Sequence, residues 1–171
     1  MLWYRARRVT PPENAARDVS GPGETAHFRA LESLYDSAPI NAKFPSVLHI
    51  DAPGVARITF DVDESVYHAA GAAHGTSYFK LLDDAGFYAC NSLVTDRFLL
   101  TTAFNLLFTR PLKSGPVVAH GRWLSGRRRV FVAESTLVDA HGEEVARGTG
   151  TFMRSSFALS GLPGYANRSR E

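Results

Sequence analysis

One cysteine, Cys90, is the chain's whole stock of thiol, so no intrachain disulfide can form, as expected of a reducing compartment. No apolar run approaches the roughly 20 residues that cross a bilayer. The basic N-terminus, MLWYRARRVTPPEN, is followed by no apolar stretch of the kind a secretory signal carries, so the expected location is cytoplasmic. An excess of either charge is lacking too, with 19 Lys and Arg against 17 Asp and Glu. A formal net charge of +2 gives no electrostatic footprint for nucleic acid. The sequence has no CxxC pair, no HExxH, no Walker loop, no GxSxG and no internal repeat. His68 and His74 lie six apart without a third ligand nearby, a poor spacing for a metal.

What is present is ordinary globular material: 171 residues, 44% hydrophobic and 21% charged, with 11 phenylalanines. That length suits a single domain, 1–171, with one core. Residues 1–25 and 156–171 hold Pro11, Pro12, Gly21, Pro22, Gly23, Gly161, Pro163 and Gly164, and are expected to be loosely ordered extensions. Phe28, Leu31, Leu34 and Tyr35 are spaced for a short helix over 24–37. Strands are predicted over 47–51 and 56–62, joined at Pro53-Gly54, and over 98–110, 117–124, 129–139 and 144–153.

Between the second and third strands, the spacing predicts one long helix from Gly75 to about Ser92, near 27 Å in length. Phe79, Leu82, Gly86, Cys90 and Leu93 share one face, with Tyr78, Ala85 and Ala89 beside them. Ser77, Lys80, Asp84, Tyr88 and Asn91 fall opposite, and read as a solvated strip with an i, i+4 Lys80–Asp84 pair. A single long helix against an antiparallel sheet of five or six strands is an α+β architecture.

Asp83 breaks the pattern, because it lies on the apolar side. A carboxylate there must be paired, hydrogen-bonded or shifted in pKa. A base or nucleophile two turns into a helix whose N-terminal N–H groups face the preceding Gly-rich loop suits acyl transfer. The residues alone leave open the alternative that Asp83 only hydrogen-bonds a neighbouring backbone group.

The run His74-Gly75-Thr76, then Leu81-Leu82-Asp83-Asp84-Ala85 and Tyr88-Ala89-Cys90-Asn91-Ser92, resembles the signature helix of the hotdog-fold acyl-CoA thioesterases, in their phenylacetate-pathway (PaaI-like) branch. The resemblance covers about 45–155 and implies a hotdog fold, a central helix wrapped by the sheet, and hydrolysis of an acyl-CoA thioester. It implies that Asp83, nine residues after the histidine, is general base or nucleophile, that the Gly75 N–H polarises the thioester carbonyl, and that His74 fixes that turn. Thr101 aligns with a hydroxyl that similar enzymes bring from the partner subunit. Coenzyme A, as part of the substrate and with no further cofactor, would be held by Arg110 and by the hairpin residues Ser125, Gly126, Arg127 and Arg128, whose planar guanidinium forks suit phosphate. The site would lie between subunits of a homodimer, with a tetramer as a further possibility and no nucleic-acid or membrane partner.

Two positions depart from the family pattern. His68 stands where the family commonly has asparagine, and Thr76 replaces its second glycine. They keep a second reading open, a non-catalytic acyl-CoA sensor. A hotdog dehydratase would need a different histidine-and-acid motif, which is not found.

Overall fold

A computed structural model describes residues 22–166. In chain order the elements are α1 (Pro22–Asp36), β1 (Val47–Ala52), β2 (Val55–Val62), α2 (Gly75–Asn91), β3 (Arg97–Phe108), β4 (Gly115–Ser125), β5 (Val130–Val138), β6 (Glu144–Ala158) and the short α3 (Pro163–Ala166). The six strands form one antiparallel sheet in the order β1-β2-β4-β5-β6-β3. This is the expected α+β layout at its larger strand count.

Alternation decides which side of each strand meets α2. In β2, Ala56, Ile58, Phe60 and Val62 are buried, while Arg57, Thr59 and Asp61 are not. Phe131, Ala133, Ser135 and Leu137 play the same part in β5. The helix lies very close to the sheet because small residues meet where they cross. A Cβ built on Gly121 of β4 falls 2.0 Å from the Ala85 carbonyl oxygen, and one on Gly86 falls 2.9 Å from Ser135 Oγ. Leu81, Leu82, Ala85, Ala89 and Cys90 fill the rest of that contact.

The strip predicted to be solvated is covered instead. Ser77, Tyr88 and Asn91 are buried, and the Lys80–Asp84 pair is largely so. The cover is Tyr35 of α1, whose ring meets Tyr88 edge-on at 5.3 Å and whose hydroxyl accepts from Lys80 Nζ at 3.2 Å. The wheel alone cannot reveal this, because the covering side chain comes from a helix 45 residues earlier. Burial pushes the Asp84 pKa up, against the pull of Lys80. Asp84 is therefore committed to packing α1 on α2.

The expected loose ends need correction as well. Residues 22–25 open α1, 156–158 finish β6, and α3 docks on α1. His27 Nε2 donates to the Asn91 carbonyl at 3.1 Å, and its Nδ1 accepts from the Tyr165 hydroxyl at 2.8 Å, which ties both extensions to the end of α2. Expectations for 1–21 and 167–171 lie outside the described residues.

The two edges of the sheet differ. Along β1, the Glu32 carboxylate of α1 accepts the Ile50 N–H at 2.9 Å and pairs with Arg29 and His49, so that edge is capped by a side chain. Among the described residues β3 has a partner on one side only, β6, and it carries exposed Leu100, Leu107 and Phe108.

Candidate active site

The turn before α2 is stapled from both sides. Its backbone donates twice, the His74 N–H to the Val66 carbonyl at 2.8 Å and the Ala73 N–H to the Leu112 carbonyl at 2.8 Å. His74 is the N-cap in extended conformation, and its Nδ1 accepts from the Thr76 N–H at 3.2 Å, with the Thr76 hydroxyl 3.0 Å away. His74 is thus a capping histidine, and Thr76, the departure from the family glycine, supplies the hydroxyl that supports it. Gly75 is the first helical residue, where helix geometry leaves the N–H without an intrahelical acceptor.

An open groove of 460 Å³ lies at this end of α2, lined by His68, Ala73, Gly75, Tyr78, Phe108, Thr109, Arg110 and Pro111. The His68 ring is exposed and accepts the Ala70 N–H at 3.1 Å. Arg110 pairs with Glu143 at 2.7 Å across the surface.

Asp83 sits further along the helix and is half-buried. The Thr101 hydroxyl lies 3.1 and 3.2 Å from its two carboxylate oxygens and donates to them. Desolvation raises the Asp83 pKa from 3.8 to about 6, with the Thr101 bond opposing the shift and the neighbouring Asp84 charge adding to it. The carboxylate therefore changes charge just below neutral pH, where a general base is most useful. The backbone-bonding alternative for Asp83 is not what the structure shows. Thr101 belongs to the same chain as the carboxylate it holds, whereas the resemblance placed it across a subunit boundary.

A bulge delivers Thr101. The β3–β6 register shifts between Thr101 and Ala103. Before the shift, Leu99 and Thr101 face α2; after it, Phe104 meets Phe79 at 5.5 Å between ring centroids and Phe108 meets Tyr78 at 5.2 Å. Phe104 has room only because β6 carries Gly148 and Gly150, where an added Cβ would approach its ring to 2.3 and 2.8 Å. Tyr78 and Phe108 are groove residues that the sequence reading did not assign there, and Phe104 packs beside them on Phe79. The change of parity, Leu99 and Thr101 against Phe104, Leu106 and Phe108, is the signal that would have found the bulge.

The predicted site residues fall into three groups. His68, His74, Gly75 and Arg110 gather at the N-terminus of α2. Asp83 and Thr101 meet eight residues on, about 12 Å along the axis. Ser125, Gly126, Arg127 and Arg128 form the β4–β5 hairpin. There Gly126 holds φ 86, and any side chain on it would strike the Val130 carbonyl oxygen at 1.9 Å. Trp123 Nε1 donates to the Gly126 carbonyl at 2.9 Å, and Arg127 stacks over the Trp123 ring at 5.0 Å. Strand register aligns Thr101 with Phe152 and Phe131, so the hairpin leaves the sheet at the Asp83 end. Among the described residues no group of three His, Cys, Asp or Glu side chains is placed to hold a metal ion.

The sequence model of the thioesterase superfamily matches residues 70–146, a span that includes α2, Thr101, Arg110 and the hairpin. A candidate esterase of Sulfurisphaera tokodaii is 30% identical over 97 residues, covering 57% of this chain and 72% of its own. The chain belongs to the thioesterase superfamily. Its fold is the hotdog fold: the PaaI protein of the E. coli phenylacetic acid degradation operon superposes with a TM-score of 0.72 at 20% identity, covering 79% of this chain and 97% of the other. A Streptococcus mutans protein solved with acetyl-CoA superposes with a TM-score of 0.56 at 24% identity, over 60% of this thioesterase and 82% of its own chain. This thioesterase is a thioester hydrolase. No helix among its described residues is long and apolar enough to cross a membrane.

Proposed function

We propose that this thioesterase hydrolyses an acyl-CoA thioester to the free acid and coenzyme A. The observation that carries the reading is Asp83, a half-buried carboxylate held by Thr101 and raised to about 6. In the reaction, Asp83 takes a proton from water as the water oxygen attacks the thioester carbonyl. The Gly75 N–H and the α2 dipole stabilise the oxyanion. When the C–S bond breaks, the thiolate recovers the proton from Asp83. Water, a carboxylate and an amide N–H suffice, so no cofactor beyond the substrate is required.

One chain does not bring those groups together. With Asp83 about 12 Å from Gly75 along one rigid helix, a single carbonyl cannot meet both. A second copy related by a twofold axis through the β3 edges would set the two α2 helices antiparallel and place the Gly75 end of one beside the Asp83 end of the other. The uncapped β3 edge with its exposed Leu100, Leu107 and Phe108, set against the capped β1 edge, supports this homodimer. It changes the expected part of Thr101: it serves its own chain's Asp83, and what crosses the boundary is Gly75, with His68 and the groove wall. For the coenzyme A phosphates, Arg128 and the hairpin amides of Ser125 and Gly126 are the proposed holders. Arg127 is stacked on Trp123, and Arg110 would have to exchange Glu143 for the phosphate. The acetyl-CoA in the Streptococcus mutans neighbour supports the same substrate class.

The test is incubation with a panel of acyl-CoA thioesters and a thiol-reactive dye, alongside the Asp83→Asn variant and light scattering of the native protein. Release of free coenzyme A by the native chain alone, from a dimer or larger assembly, is the expected result. Binding without release would favour the sensor reading instead, and a monomer that turns over substrate would remove the shared site.

A further inference from the structure

The groove beside Gly75 has a wall whose support plays no part in the mechanism above. We propose that Tyr78 is a positioning residue that holds this wall in place over the Gly75 N–H. The inference rests on the reading that a thioester carbonyl is bound there.

Tyr78 lies one turn after Gly75 and is 3% exposed. Its hydroxyl is used twice: it donates to the Arg110 carbonyl at 3.2 Å and accepts the Leu112 N–H at 2.7 Å. Both bonds reach the segment after β3, 32 and 34 residues away, and that segment is also tied to the turn before α2 through the Ala73–Leu112 bond. The ring meets Phe108 edge-on at 5.2 Å and 79°. Phe108 in turn sits on Gly75, where a built Cβ would be 3.1 Å from its Cζ. One buried side chain therefore joins the first turn of α2 directly to the segment Phe108, Thr109, Arg110 and Pro111, the opposite wall of the groove, whose far side is held to β6 by the Thr109 and Arg110 N–H bonds to the Val145 carbonyl. Phe108 is 52% exposed in the single chain, so no core packing of its own subunit fixes its ring from the outer side. Loss of the Tyr78 hydroxyl removes the two bonds that tie the wall directly to α2 without touching Asp83, Thr101 or the Gly75 amide. The groove loosens while the reacting groups stay as they were, and the effect falls on substrate binding.

The experiment is steady-state kinetics on Tyr78→Phe with an acyl-CoA substrate. KM is expected to rise about tenfold with kcat within about twofold of the native value. Tyr35→Phe serves as the comparison, since it also deletes a buried tyrosine hydroxyl, bonded to Ser46 and Lys80, on the opposite side of α2. It should leave KM unchanged. Phe108→Ala, at an exposed ring, should raise KM by itself and add little on top of Tyr78→Phe, because the two act through one wall. An unchanged KM in Tyr78→Phe overturns the proposal, as does an equal rise in Tyr35→Phe. If Tyr78→Phe does not fold, an unchanged KM in Phe108→Ala overturns it. A native chain with no thioester turnover removes the function reading and the proposal with it, whereas normal native turnover with an insensitive groove removes the proposal alone.

Discussion

Replacing Asp83 by asparagine should raise stability and abolish activity, and the two effects should share one pH dependence. Burial lifts the Asp83 carboxyl from 3.8 to about 6, so the native state holds its proton more tightly than the unfolded chain does. Across that window the unfolded state binds fewer protons, so stability falls as pH rises from about 4 to about 6, and the full cost is present above it. A shift of about two units corresponds to about 3 kcal/mol; because the group is only half-buried, about 2 kcal/mol is the figure to expect. Asparagine keeps the shape and an oxygen for Thr101 to donate to, but carries no charge to desolvate. At pH 8 the variant should therefore melt higher by about 4–8 °C, and at pH 4 the two proteins should melt together. Native kcat/KM should climb with pH to a plateau, with an inflection near 6, as the base form appears, and the variant should lose about 10²–10⁴-fold. Equal melting of both proteins at pH 8, or a stabilisation that persists unchanged at pH 4, would refute the claim that the carboxylate is held away from water.

Thr101→Val removes the one hydrogen bond that holds the Asp83 pKa down, so the inflection of the pH–rate profile should move further above 6, while Thr101→Ser should restore it. Gly75→Pro deletes the N–H at a position where proline suits a helix, with the preceding His74 already extended, and Gly75→Ala brings the same Cβ to 3.1 Å from Phe108 while keeping the N–H; kcat should fall about 10²–10³-fold further in the proline variant than in the alanine one, with the helical circular dichroism retained in both. Gly121→Ala places a methyl 2.0 Å from the Ala85 carbonyl oxygen, and denaturant melts should show a loss of about 3 kcal/mol.

The elements that sequence reading located well are those whose instructions are local. The Pro53-Gly54 hairpin, the start of α2 at Gly75 and the strands with clean alternation depend on neighbours within a few residues, and they stand where spacing put them. Helix spacing put Asp83 on the side of Phe79 and Cys90, and there the structure has it half-buried against Thr101, with the Phe79 ring exposed. What was not legible depends on partners distant in sequence. Tyr88 reads as solvated until α1 lays Tyr35 over it, Asn91 until its side chain bonds Val94, Arg97 and Leu99 around the start of β3, and the C-terminal residues read as loose until Tyr165 finds His27, 138 residues earlier. The His74 cap on α2, by contrast, is a bond between residues two apart.

The bulge at Thr101–Ala103 shows why the candidate site escapes a purely periodic reading. A strand with unbroken alternation that keeps Leu99 and Thr101 toward α2 would turn Phe104, Leu106 and Phe108 outward. It would then have either a hydroxyl for Asp83 or an aromatic wall for Gly75, but not both. One extra residue in β3 supplies both on the same face, and Gly148 and Gly150 in the partner strand make the space that Phe104 then needs. The two ends of the site, about 12 Å apart on α2, are thus coupled through β3, which is also the edge left open by α1. If β3 is where a second copy pairs, the strand that aims Thr101 and Phe108 is the strand whose position depends on the partner. Assembly and the geometry of catalysis then rest on the same twelve residues.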